Sequence, residues 1–113
     1  MHAIQTLYTQ KSRIAPTPSG YLHEGNVFNF VLTWLHIRSM NGVLHLRIDD
    51  ADSERVRPEY VQDIFDVLNW LELDYDTGPK DYADFKFNHS QLQRKELYER
   101  ALFDLEKRQL LFK

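Results

Sequence analysis

Between Arg13 and Asn26 the chain reads R-I-A-P-T-P-S-G-Y-L-H-E-G-N, and these residue types at this spacing suit anion chemistry. An apolar entry meets a loop with two prolines and a glycine. A histidine, a second glycine and an asparagine follow, and a strongly apolar run then begins. That order predicts a strand, a tight loop and a helix start. A helix start leaves backbone N–H groups unpaired and carries partial positive charge, so it suits phosphate. Gly20 and Gly25 would let a ligand approach the backbone closely, and His23 would place an imidazole where an anion could sit. Taken alone, the stretch also fits a plain strand-to-helix turn, with His23 a loop histidine and Arg13 a solvated strand-edge arginine.

Other polar residues carry less. Asp49, Asp50, Asp52 and Glu54 invite a calcium reading, which the spacing rejects. If Asp50 opened a calcium loop, Arg55 would hold its glycine position and Val61 its closing-glutamate position. A charged connector with Arg47, Arg55 and Arg57 is the better account. His2, His36, His45 and His89 show no metal-ligand spacing, so no metal site is expected. With no cysteine, neither a disulfide framework nor a cysteine-ligated zinc site can form. Gln93-Arg94-Lys95 and Lys107-Arg108 read as solvated helix faces.

The elements that must hold the Arg13–Asn26 stretch follow from periodicity. Met1 to Ser12 reads as a leader. Arg13-Ile14-Ala15 ends a short strand, because Pro16 and Pro18 cannot donate to a ladder. Glu24 to Met40 is predicted helical, with apolar residues on more than one face, hence buried on several sides. Asn41-Gly42 ends it, and Val43 to Ile48 alternates as a strand. Pro58 suits the first turn of a second helix, in which Val61, Ile64, Phe65, Leu68 and Leu71 form one apolar face. Asp74 to Asn88 is polar, with a turn at Gly78-Pro79. Ser90 followed by Gln93 fits a capping box before a helix presenting Leu97, Tyr98, Ala101, Leu102 and Leu105. Leu110-Leu111-Phe112 begins another apolar element. Trp34, Trp70 and the phenylalanines are expected in the core. Alternating strands and helices predict an α/β fold whose first strand-helix-strand unit is parallel and right-handed.

The chain of 113 residues suffices for one domain with one core, and 42% hydrophobic with 13% aromatic residues argues for a folded chain. A net charge of −3 gives no global basic footprint for nucleic acid. No apolar run is long enough to span a bilayer, and no apolar h-region opens the chain. A soluble cytoplasmic protein with no membrane partner is the expectation. The apolar ending predicts a piece of a larger fold, or a homo-oligomer formed through an unfinished sheet edge.

Four blocks, in order, resemble the amino-terminal half of the catalytic domain of the glutamyl-tRNA synthetase family, which includes glutaminyl and glutamyl-Q-tRNA(Asp) enzymes. The first is Arg13–Asn26, whose histidine-x-glycine-asparagine part resembles the class I "HIGH" element. Arg47-Ile48-Asp49-Asp50-Ala51-Asp52 resembles the R-I-E-D-T-D block. Leu68 to Asp76 resembles L-x-W-L-G-L-x-x-D. Ser90-Gln91 followed by Tyr98 resembles Q-S-x-R-x-x-x-Y. The likeness runs from Arg13 to the C-terminus, so residues 13–113 would form that half-domain after a 1–12 leader. It implies a partial Rossmann-type (HUP-like) parallel sheet with flanking helices. It also implies ATP (with Mg2+) and glutamate as substrates and tRNA as partner in the complete enzyme, which forms an acyl-adenylate and then charges tRNA. On this resemblance His23 is catalytic, donating to the phosphate as charge builds. His23, Gly25 and Asn26 bind ATP, while Arg13, Ala15, Thr17 and Asp49 bind the amino acid. Glu24 stands where the family has a small apolar residue, Asp49 is one methylene shorter than the family's glutamate, and Ala51 replaces a threonine. The sequence contains no K-M-S-K-S-type loop and no cysteine-rich zinc insertion. The isolated chain is therefore expected not to charge tRNA.

Overall fold

The structure, a computed structural model, describes residues 9–52 and 54–112. Residues 1–8 of the expected leader lie outside the described residues. Strand β1 (Lys11–Ile14) and strand β2 (Val43–Leu46) pair in parallel, with Arg13 opposite His45 and Ile14 opposite Leu46. The strand thus begins at Lys11, inside the stretch read as leader. The ladder continues beyond the strands, since Arg47 N donates to Ile14 O and Asp49 N to Pro16 O, both at 2.9 Å.

Helix α1 (Glu24–Ser39) makes the parallel connection. It ends as its sequence predicts: Asn41 takes a positive φ of 52° and Gly42 N returns to Ile37 O. Helix α2 (Pro58–Trp70) starts on Pro58, whose missing N–H costs nothing in a first turn. Its residues Val61, Ile64, Phe65 and Leu68 are buried against Ile14, Phe30, Ile37, Leu44, Leu46 and Ile48 to form the core.

On its other side β2 is bordered by Asp76 and Thr77. Thr77 bridges His45 in parallel, Leu46 N donates to Thr77 O, and Asp76 N donates to Leu44 O. Gly78 permits this strap, because a Cβ there would lie 2.3 Å from Leu46 O and its φ is +117°.

Several expectations are corrected. Trp70 is 82% exposed, and Phe28, Phe87, Phe103 and Phe112 are also exposed. Trp70 follows Leu68 by two residues, which at 100° per residue turns it to the opposite side of α2. Helix α1 buries only Phe30 and Ile37 fully, while Phe28, Leu32 and Leu35 face outward, so a single face is covered. The segment read as a polar loop contains a helical turn (Tyr82–Asp84) that widens into a π turn (Phe85–His89), and Phe85 is buried there. Ser90 N donates to Phe85 O, so it is not available to Gln93. Gln93 Nε2 donates instead to Lys86 O and Phe87 O, and no capping box forms. A 3₁₀ turn (Gln91–Arg94) then leads into helix α3 (Lys95–Lys107), which buries no residue. Leu110, Leu111 and Phe112 are exposed and outside any helix or strand.

Candidate functional site

At the carboxyl end of β1 an open cleft of about 590 Å³ forms between the strand, the loop that follows and one face of α1. The loop is held from below. Pro16 and Pro18 are buried, Ser19 N donates to Thr17 O, and Leu22 N donates to Asp63 Oδ2 of α2 at 2.8 Å. Tyr21 stands edge-on to Tyr60, their ring centroids 4.9 Å apart.

Arg13, Ala15, Thr17, His23 and Asn26 all line this cleft. Arg13 has no ion-pair partner among the described residues, so its guanidinium fork is available to a carboxylate. His23 is the N-cap of α1: its Nδ1 accepts from Gly25 N at 3.1 Å, and its own N–H donates to Asn26 Oδ1 at 3.1 Å. With Nδ1 accepting, the ring proton sits on Nε2, which remains as a donor. The cap therefore fixes the tautomer that an anion needs.

Gly25 does not line the cleft; its role is steric. A Cβ there would lie 3.0 Å from His23 Cε1 and 3.1 Å from Nδ1, so glycine is what lets the ring fold over the first turn. Glu24, although in that turn, also lies outside the lining.

Asp49 is not in the cleft lining either. It sits one strand over, its backbone bonded to the cleft residue Pro16. Its Oδ1 accepts from Arg47 Nε at 2.7 Å and from Gln91 Nε2 at 3.1 Å, and its Oδ2 accepts from Arg47 Nη2 at 3.0 Å. The Asp49 carboxylate raises the Arg47 guanidinium above its usual value. Asp50, 3% exposed, accepts from Ser90 Oγ and, at 2.8 Å, from Gln91 N, so it is a structural anchor for that segment.

Beyond Asn26, sequence reading missed the helical wall of the cleft. Asn26, Asn29 and Thr33 line it together with Phe30. Their spacing of three, four and seven residues puts them on one face of α1, so polar residues at helical period within an apolar run were the available signal. Among the described residues no cluster of three or more His, Cys, Asp or Glu could hold a metal ion.

Residues 10–105 match the family model of tRNA synthetases class I (E and Q), catalytic domain. The chain belongs to this family. It is 49% identical over 69 residues to a glutamate–tRNA ligase of Chromobacterium violaceum, covering 61% of this chain and 15% of that protein. It is 46% identical over 69 residues to a glutamyl-Q tRNA(Asp) synthetase of Nitratidesulfovibrio vulgaris, covering 61% of this chain and 21% of that one. Among solved structures, a glutamate–tRNA synthetase from Elizabethkingia anophelis superposes with a TM-score of 0.70 at 27% identity, over 88% of this chain and 20% of that one. The chain thus spans about a fifth or less of the length of these relatives. Such neighbours give the two-stranded unit its setting, the Rossmann-like fold of class I synthetases.

Proposed function

We propose that this chain is the ATP- and glutamate-binding portion of a glutamyl-tRNA synthetase-type catalytic domain. The observation that carries the reading is the convergence of Arg13, Ala15, Thr17, His23 and Asn26 on one cleft at the carboxyl end of a parallel strand. Ligands of open α/β sheets bind in that position. His23 Nε2–H donates to the phosphate that gains charge, the positive end of α1 favours the same charge, and Arg13 takes the side-chain carboxylate of glutamate. Asn26 and the α1 wall bound the nucleoside. The triphosphate brings its own Mg2+. In the complete enzyme the adenylate is passed to tRNA in the cytoplasm. The isolated chain does not charge tRNA, because the lysine loop and tRNA-binding regions implied by the family resemblance lie outside it.

Calorimetric titration with ATP and with a non-hydrolysable glutamyl-adenylate analogue tests the reading. The analogue should bind, Arg13→Ala should weaken the analogue much more than ATP, and His23→Ala should weaken both. No binding of either ligand would overturn it. Steady aminoacylation by the purified chain above a no-enzyme blank would overturn the inactivity.

A second reading has its own observation. Leu97, Tyr98, Leu102, Phe103 and Leu105 on α3 are exposed, as is Leu110–Phe112. A chain that leaves so much apolar surface uncovered suits a binding or assembly module that recruits a second chain. A stable dimer in light scattering, with no nucleotide binding, would favour it.

A further inference from the structure

We propose that Gln91 is a positioning residue, holding the Asp49 carboxylate at the cleft rim so that it meets the ammonium of the bound amino acid; this rests on the glutamate-binding reading above.

The geometry is specific to the side-chain amide. Gln91 Oε1 accepts from Ala51 N at 3.1 Å, which fixes the amide's orientation. Nε2 is thereby turned to Asp49 Oδ1, 3.1 Å away. The backbone of Gln91 is tethered at the same place, its N–H donating to Asp50 Oδ1 at 2.8 Å, and Ser90 Oγ donates to Asp50 Oδ2. A residue forty positions downstream therefore grips the 49–51 loop at three successive residues.

Charge decides what that grip is for. Arg47 already sets the plane of the carboxylate with a two-pronged contact, 2.7 Å to Oδ1 and 3.0 Å to Oδ2. Arg47 already balances the carboxylate's charge, so a second cation would leave the group net positive and repel an ammonium. Gln91 adds a donor without adding charge, so Asp49 is fixed and can still accept from an ammonium. It also loads Oδ1 with a second hydrogen bond, while Oδ2 receives only one from the protein, leaving Oδ2 the oxygen with room for a further donor. The Asp49 backbone is bonded to Pro16, a residue of the cleft wall, which sets the carboxylate beside the cleft.

Glutamate and ATP are titrated separately, by NMR, into the wild-type chain and two variants. Gln91→Met keeps the length of the side chain and removes its amide. Ser90→Ala loosens the same segment without touching Asp49. Glutamate affinity should fall roughly tenfold in Gln91→Met, as for a lost hydrogen bond to a charged group. Its ATP affinity should be unchanged, and Ser90→Ala should match wild type for both ligands. In the wild type the side-chain amide resonances of Gln91 should move on saturation with glutamate, a readout that needs no variant. Equal glutamate affinity in Gln91→Met and wild type, a parallel loss of ATP affinity, or a static Gln91 amide would overturn the positioning role alone. No glutamate uptake by the wild type would overturn both readings.

Discussion

At the scale of single residues, one nitrogen of the His23 ring is already committed. Nδ1 closes the first turn of α1, which leaves Nε2 as the nitrogen the proposed phosphate contact would use. Gly25 leaves room for the arrangement, since a Cβ would press on the ring from 3.0 Å and push it off by a few tenths of an ångström. Alanine improves intrinsic helix propensity over glycine by up to about 1 kcal/mol, and loss of a helix cap costs about 1 kcal/mol. Gly25→Ala should therefore leave the unfolding midpoint nearly unchanged while weakening ATP binding severalfold. Thermal unfolding and ATP titration of the same variant check the split, and equal ATP affinity would show that the ring does not have to sit there. The residues that line this cleft could be picked out from sequence only because four blocks together resembled one family; the first block alone also fitted a plain strand-to-helix turn. The partners of Asp49 were not. Gln91 is 42 residues away, and nothing local to Asp49 announces it.

At the scale of elements, the strap of Asp76 to Gly78 shows how tertiary context defines a segment that reads as an ordinary turn. Gly78→Ala places a Cβ 2.3 Å from Leu46 O at a φ of +117°, so it should destabilise the fold by roughly 2 kcal/mol or more in urea unfolding. Asp76 fastens the same strap to α1. Its Oδ2 accepts from Leu44 N and Arg38 Nη1, each at 2.8 Å, and Arg38 also reaches Gly42 O and Asp74 O. The Leu44 N–H, and then Arg38, hold the Asp76 carboxyl below its ordinary range. This stabilisation is complete above the ordinary aspartate range and is lost as pH falls through the lowered value. His45 leans the same way. Burial, then His89 and Arg47, push its imidazole below its usual value, so protonation on acidification favours unfolding. Asp76→Asn should be less stable than wild type at neutral pH, with the gap closing as pH falls below the ordinary aspartate range. Parallel urea midpoints across that range would sink the assignment. The strand-helix-strand unit and the buried face of α2 were legible from periodicity. The Trp34 to Asp74 hydrogen bond and the π turn were not, because both depend on contacts between distant segments.

At the scale of the whole molecule, the radius of gyration of 16.7 Å exceeds the roughly 13 Å of a compact chain this long. Helix α3, none of whose residues is buried, fits that extension. Its apolar periodicity is real, and its cover is not among the described residues. Leu102→Asp should therefore shift chain stability by no more than about 0.5 kcal/mol, the usual range for an exposed site. A larger loss in urea unfolding would show that α3 is packed in solution. The flank of β2 taken by Thr77 makes growth of this sheet vectorial. The backbone groups with which β2 could greet a newcomer on that side are already engaged, so any additional strand has to enter beyond β1. The Arg13 edge of the cleft is then the side on which a further strand would close the pocket, and a single two-residue bridge sets that direction.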